Sequence, residues 1–202
     1  MLKRGFDVAG ATLALLLLGP LMLLLALLIR VDSPGPALFH QERVGRWGRP
    51  FRIHKFRTMV ADAPERGPAL TVGEDARITR VGTWLRRTRL DELPQLLNVL
   101  AGDMSLVGPR PEVPRYVQHY PPGLRERALA VRPGITDPSS LAGLDEAARL
   151  AAAADPEREY IERILPAKLQ AAADYAAQAN LWTDALVLVR TVRVLLWRGA
   201  RA

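Results

Sequence analysis

Asp91 and Glu92 are adjacent carboxylates placed just before a helical leucine pattern, and arginines crowd around them. Arg86, Arg87 and Arg89 precede the pair. Arg110 and Arg132 sit in proline-stiffened turns, Gly108-Pro109-Arg110-Pro111 and Arg132-Pro133-Gly134. Lys55 and Arg57 flank Phe56, so an extended backbone sends both to one face. Acids at a helix start often do no more than cap backbone N–H groups and complement the helix dipole. Carboxylates among many arginines also suit phosphate chemistry. The guanidinium fork binds phosphate oxygens in pairs and stabilises charge that develops on them. An aspartate can attack as a nucleophile to form an acyl phosphate. It can also hold Mg²⁺, which takes one or two carboxylates plus substrate phosphates. A neighbouring glutamate can move a proton. Adjacent residues at a helix start point in different directions, which permits such a division of labour.

The elements that must position these groups follow from pattern. Leu93, Leu96, Leu97 and Leu100 fall on one helical face. Pro94 is tolerated only in the first turn, so the acidic pair lies at the helix N-terminus, and Gly102 ends the helix. Ala37–Gln41 and Phe51–Lys55, with turn formers between them, predict a small β-hairpin. Asp62–Glu74 predicts a loop and Val81–Arg89 a short basic helix. Further helices are expected over Leu141–Ala154, Tyr160–Gln178 and Asn180–Trp197. The last is amphipathic, and Trp182 and Trp197 suit either the lipid interface or the core.

The N-terminus carries an apolar run from Val8 to Ile29, broken at Gly19-Pro20 and flanked by Lys3, Arg4 and Arg30. About 22 residues suffice to span a bilayer as a straight helix. Pro20 removes a donor and clashes with the preceding turn, and Gly19 weakens the helix further. Each half alone is roughly 14–16 Å long, about half of a hydrocarbon core of roughly 30 Å. Basic flanks at both ends favour the cytoplasmic side. The residues therefore allow two topologies: a re-entrant helix–break–helix hairpin, or one kinked transmembrane helix. The expected organisation is a membrane helix over residues 1–32 and a cytoplasmic, membrane-associated catalytic domain over residues 33–202. The fold expected is mainly α with a small β-hairpin.

The chain of 202 residues has no cysteine, which excludes disulfides and thiolate metal sites. Its net charge of +7 suits anionic headgroups or phosphorylated substrates. Aromatic residues are 6% of the chain and scattered, which argues against a nucleic-acid surface. No GxGxxG or Walker loop is present.

The strings KRGFDVAG (Lys3–Gly10), QERVGRWGRPF (Gln41–Phe51), KFRTM (Lys55–Met59), RLDELPQLLNVLAGDMSLVGPRPE (Arg89–Glu112) and VRPGIT (Val131–Thr136) resemble the bacterial sugar transferase family, the monotopic polyprenyl-phosphate phosphoglycosyl transferases. The resemblance implies transfer of a sugar 1-phosphate from a UDP-sugar to undecaprenyl phosphate, with release of UMP, as the first membrane step of glycoconjugate assembly. It implies Asp91 as nucleophile and Mg²⁺ ligand, Glu92 as proton-transfer partner, and Lys55, Arg57, Arg86, Arg110 and Arg132 as phosphate contacts. It also implies a re-entrant helix bent at Gly19-Pro20, on the cytoplasmic face of the bacterial inner membrane, with membrane lipids around it. A homodimer or association with other glycan-pathway enzymes is compatible with it. So is the competing reading of a non-catalytic membrane scaffold, which an intact dyad disfavours. Two segments depart from the family pattern. Gly19-Pro20 stands where many relatives have Ser-Pro, and Asp137-Pro138-Ser139-Ser140-Leu141 replaces the usual continuation after Thr136, which bears on donor choice. Without the extra N-terminal membrane domain of larger relatives, the chain reads as a minimal catalytic unit.

Overall fold

A computed structural model describes residues 2–67, 75–137 and 146–199. Helix α1 (Leu2–Asp32) leads into a hairpin of β1 (Leu38–Val44) and β2 (Pro50–Phe56). There follow α2 (Ala63–Arg66), α3 (Arg80–Thr88), α4 (Gln95–Ala101), β3 (Ser105–Val107), α5 (Pro114–Val117), α6 (Pro122–Ala128) and β4 (Gly134–Thr136). The C-terminal part holds α7 (Glu146–Ala152), α8 (Pro156–Glu159), α9 (Leu165–Gln178) and α10 (Leu181–Gly199). The protein is mainly helical, with β1 and β2 antiparallel and β3 and β4 paired in parallel. The hairpin was expected. The parallel pair was not, because Arg132-Pro133-Gly134 reads locally as a turn and only tertiary contact makes it a strand. The expected loop over Asp62–Glu74 contains the single turn α2, and its residues 68–74 lie outside the described ones. Of the unusual Asp137–Leu141 segment only Asp137 is described.

Helical backbone continues through Gly19-Pro20, where the sequence suggests a break. Proline inside a helix costs about 3 kcal/mol or more, but α1 does not stand alone. Ala11, Ala14 and Leu15 pack with Ile53, Leu96, Val99 and Met104. Leu21, Met22, Leu25, Ala26 and Ile29 pack with Phe56 and Leu85. These contacts hold the helix on both sides of the proline. The opposite face exposes Leu13, Leu16, Leu17, Leu23, Leu24 and Leu27. This helix is long and apolar enough to cross a membrane, and the exposed stripe is of the size that marks a lipid or protein contact.

Both ends of α1 are tied to the same body by polar groups. At the start, Lys3 pairs with buried Asp184 of α10. Arg4 donates to Val99 O at 2.6 Å, and buried Asp7 accepts from Ser105 Oγ at 2.9 Å and Leu106 N at 3.1 Å. At the finish, Arg57 donates to Ser33 O at 2.8 Å, and Asp32 accepts from Val81 N at 3.1 Å.

Helix α4 is rotated from its expected orientation. Leu96 is buried, but Leu97 and Leu100 are exposed, and Gln95, Asn98 and Val99 face inward. Asn98 causes the rotation. Its amide donates to Arg52 O at 2.7 Å and accepts from His54 N at 2.9 Å, extending the hydrogen bonding of β2. Two buried hydrogen bonds of about 1 kcal/mol each, whose loss would leave polar groups unsatisfied, outweigh the partial exposure of two leucines. From Pro156 to Gln178 the chain is helical, with a π turn at Tyr160–Ile164 just before Pro166, whose missing N–H cannot continue an α ladder. In α10, Trp182 is exposed, and the side chains of Val192, Leu196 and Trp197 lie outside the described ones.

The β3–β4 pairing demands glycine at position 134. A Cβ there would lie 2.0 Å from Gly108 N, a backbone atom that cannot swing aside. Overpacking costs about 1–3 kcal/mol even where side chains can yield. Gly134→Ala is therefore expected to lower Tm by about 5 °C or more in a detergent-solubilised melt, and an unchanged Tm would contradict the tight strand pairing.

Candidate active site

The acidic pair is placed by a reversal of the chain. Thr79 caps α3 by accepting from Gly82 N at 3.0 Å. The helix stops at Arg89, which adopts a left-handed φ of 60°, uncommon for a side-chain-bearing residue. That reversal starts a 3₁₀ turn over Leu90–Glu92, and Pro94 then leads into α4. Asp91 and Glu92 are both buried, at the N-terminal side of α4 as expected.

Their surroundings differ sharply. Glu92 Oε1 accepts from Lys55 Nζ and from Arg110 Nη2, each at 2.9 Å, with Arg89 Nη1 at 3.7 Å. Burial alone would push the Glu92 carboxyl up, but Arg110, Lys55 and Arg89 together overcome it and hold the group well below the usual carboxylate range. Its contacts with Lys55 and Arg110 give Glu92 an organising place in the site. Asp91 makes no close ion pair: Lys55 is 4.0 Å away, Arg110 and Arg89 act on it from further off, and its Oδ1 is buried without a hydrogen-bond partner. Burial pushes its carboxyl up, with Lys55 opposing. A carboxylate oxygen that is neither solvated nor hydrogen-bonded is a strong nucleophile and an available ligand.

Asp91 opens into a cleft of about 700 Å³ between the hairpin, the segment after β2 and α3, within the range of small-molecule sites. Lys55, Arg43, Arg57, Arg77, Arg86 and Arg110 share its lining. Such a wall concentrates anions. Of the expected phosphate contacts, Lys55, Arg86 and Arg110 are brought to the cleft. Arg86 is aimed by a 2.9 Å bond from Nε to Thr58 Oγ1. Arg57 also lines the cleft, but its two terminal nitrogens are engaged by carbonyls at the end of α1. Arg132 is elsewhere: its Nε donates to Gly102 O at 2.8 Å, capping α4. Arg89 reaches Glu92 as its place beside the pair suggests, whereas the sequence does not single out Arg43 and Arg77 as residues of the cleft. Arg43 donates to Gln41 Oε1 at 2.6 Å and Pro111 O at 2.9 Å. Its only signal in the sequence is its spacing of two from Gln41 within a strand.

Among the described residues no cluster of three or more Asp, Glu or His side chains converges on one point. That excludes an all-protein cage there but not Mg²⁺, which is commonly held by one or two carboxylates plus substrate phosphates. The orphaned Oδ1 of Asp91 fits that mode.

The two acids should respond oppositely to neutralisation. The folded pKa of Asp91 is raised, so its ionised form costs stability above that pKa, and the cost vanishes as pH falls through it. The folded pKa of Glu92 is depressed, so its stabilisation is present above the unfolded value and is lost as pH falls through the folded one. At pH 7, Asp91→Asn is expected to raise Tm. Glu92→Gln strands Lys55 and Arg110 and is expected to cost about 3 kcal/mol or more. Thermal melts of both variants check this; equal shifts would contradict the asymmetry.

A model of the family described as bacterial sugar transferase matches residues 1–198. The chain is 41% identical over 198 residues, 96% of its length, to a UDP-N-acetylgalactosamine-undecaprenyl-phosphate N-acetylgalactosaminephosphotransferase of Aeromonas hydrophila, and covers 44% of that protein. It is 43% identical, again over 96% of its length, to a UDP-glucose:undecaprenyl-phosphate glucose-1-phosphate transferase of Caulobacter vibrioides, covering 69% of it. It is 39% identical to an exopolysaccharide production protein of Rhizobium leguminosarum, spanning 98% of this chain and 97% of that one. Matched by the family model over residues 1–198, the chain belongs to the bacterial sugar transferase family.

Proposed function

We propose that this protein transfers a sugar 1-phosphate from a UDP-sugar to undecaprenyl phosphate, through a covalent intermediate on Asp91. The observation that carries the proposal is the unpartnered carboxylate oxygen of Asp91, among the described residues the one acid lining a cleft that six Lys and Arg side chains share. The relatives' names supply the class of donor and acceptor. In the first step a carboxylate oxygen of Asp91 attacks the sugar-bearing phosphorus. The aspartyl–phosphate bond forms, the diphosphate bridge breaks, and UMP leaves with the electron pair. Arg86 and Arg110 are disposed to hold the phosphate oxygens. In the second step an oxygen of undecaprenyl phosphate attacks the same phosphorus, the acyl phosphate breaks, and Asp91 is regenerated beside a polyprenyl-diphosphate sugar. Mg²⁺ held by Asp91 and the donor phosphates would neutralise charge on the diphosphate. Glu92 keeps Lys55 and Arg110 in place.

The exposed stripe of α1 is the proposed lipid contact. Because Lys3, Arg4 and Asp7 at one end and Asp32 and Ser33 at the other bind one body, a helix that enters the lipid and keeps both ends on one face is favoured over a full crossing. Both ends then lie on the cytoplasmic face of the inner membrane, with residues 1–32 as anchor and residues 33–202 as the catalytic part.

Purified protein with Mg²⁺, undecaprenyl phosphate and a panel of UDP-sugars should release UMP with at least one donor, and Asp91→Asn should abolish release. Full turnover in that variant would remove Asp91 from the mechanism, and no turnover with any donor would return the chain to the scaffold reading. Topology has a clean probe because the chain has no cysteine. Single cysteines at the exposed positions Leu2 and Val31 should both be shielded from an impermeant thiol reagent in intact cells. Labelling at Leu2 alone would show a full crossing.

A further inference from the structure

Glu112 is a second buried carboxylate close to the dyad's cations. It lies two residues beyond Arg110 in the Pro109–Glu112 loop and adds to the field that raises the Arg110 pKa, after Glu92. Left alone it would compete with Glu92 for the same guanidinium. Its side chain instead meets a cluster contributed by the C-terminal helices. The Tyr160 hydroxyl, in the π turn, donates to Glu112 Oε1. Lys168 Nζ of α9 lies 3.1 Å from Glu112 Oε1, 3.1 Å from the Tyr160 hydroxyl and 3.3 Å from Glu146 Oε2. Tyr160 and Lys168 are eight residues apart along a helical run, so they reach one carboxylate from the same side. The loop backbone is held independently: Val44 N donates to Glu112 O at 2.9 Å, Gly134 N to Pro109 O at 3.0 Å and Arg43 to Pro111 O at 2.9 Å. The Tyr160–Lys168 cluster is thus not needed to hold the loop. What it adds is a set of partners for the Glu112 charge.

We propose that Tyr160 and Lys168 are positioning residues that occupy Glu112 and thereby leave Arg110 to Glu92. Without them a buried carboxylate loses its counter-charge, a strongly unfavourable state. Besides Lys168, the cations that feel the Glu112 charge and share its loop or the adjoining strand are Arg43 and Arg110. The terminal nitrogens of Arg43 face Gln41 Oε1 and Pro111 O, while its buried Nε has no partner, so an uncompensated Glu112 draws on both guanidiniums, and Arg110 is the one whose displacement reaches Glu92. Glu92 would then pull Lys55 wholly to itself, and the phosphate-facing geometry beside Asp91 would be lost. The inference rests on Asp91 as the reacting group.

The test is a rescue measured as UMP release by the full chain in detergent or nanodiscs. Lys168→Met should lower kcat about tenfold or more, the scale on which small misplacements act. Adding Glu112→Gln removes the competing charge and should restore kcat to within a few-fold of wild type. A role confined to packing predicts no such rescue. Should Lys168→Met fail to fold, Tyr160→Phe, which deletes one oxygen, is paired with Glu112→Gln in the same way. Full activity of the single variants, or a double variant no faster than its single parent, would overturn the proposal. Asp91→Asn assayed alongside separates the failures: an active Asp91→Asn defeats the reading of the dyad, whereas an inactive one with a fully active Lys168→Met defeats only the positioning role.

Discussion

Competition between two adjacent carboxylates for the same cations governs the site. Lys55 Nζ stands 2.9 Å from Glu92 and 4.0 Å from Asp91. At an effective dielectric near 20 that difference favours Glu92 by about 1.6 kcal/mol from Coulomb attraction alone, and the hydrogen bond adds to it. Arg110 contributes a second close contact on the same Glu92 oxygen. Glu92 is thereby saturated and Asp91 is starved. Had the cations been shared evenly, both acids would have been quiet ion-pair partners. The asymmetry leaves Asp91, a residue of the cation-rich cleft, with one buried oxygen that has no hydrogen-bond partner. The cost of that arrangement is carried by Asp91, as expected where function requires a strained group.

The apolar helix is part of this arrangement and not an independent tether. Its far end is capped by Arg57, two residues from Lys55 at the end of β2. Thr58, the next residue, aims Arg86 into the cleft. Asp32 caps the N-terminus of α3, whose C-terminal reversal presents the dyad. The exposed apolar stripe of α1 and the Asp91 carboxylate are therefore related by a few contacts.

Much of the site was legible because local rules and tertiary contacts agree there. Pro94 can only begin a helix, which places Asp91 and Glu92 at its start. Arg110 between two prolines has few directions. The hairpin declares itself through its turn residues. Legibility ended where a partner distant in sequence decided the outcome. Asn98 turns α4 through bonds to Arg52 and His54, which no leucine periodicity reveals. Arg57 alternates with Lys55 yet serves the end of α1, and Arg132 serves the end of α4. Gly19-Pro20 predicts a break in an isolated helix, but packing on both sides carries the helix through it. Gly134 looks like a turn until Gly108 is seen against it.

The covalent intermediate is the claim on which the chemistry turns. Intact-protein mass spectrometry after mixing enzyme, Mg²⁺ and donor, with no polyprenyl phosphate present, measures it directly. A mass increase of one sugar phosphate, mapped to the peptide bearing Asp91 and discharged when undecaprenyl phosphate is added, is the predicted result. Product formation at normal rates with no adduct under rapid quench, and UMP appearing only when both substrates are present, would contradict it.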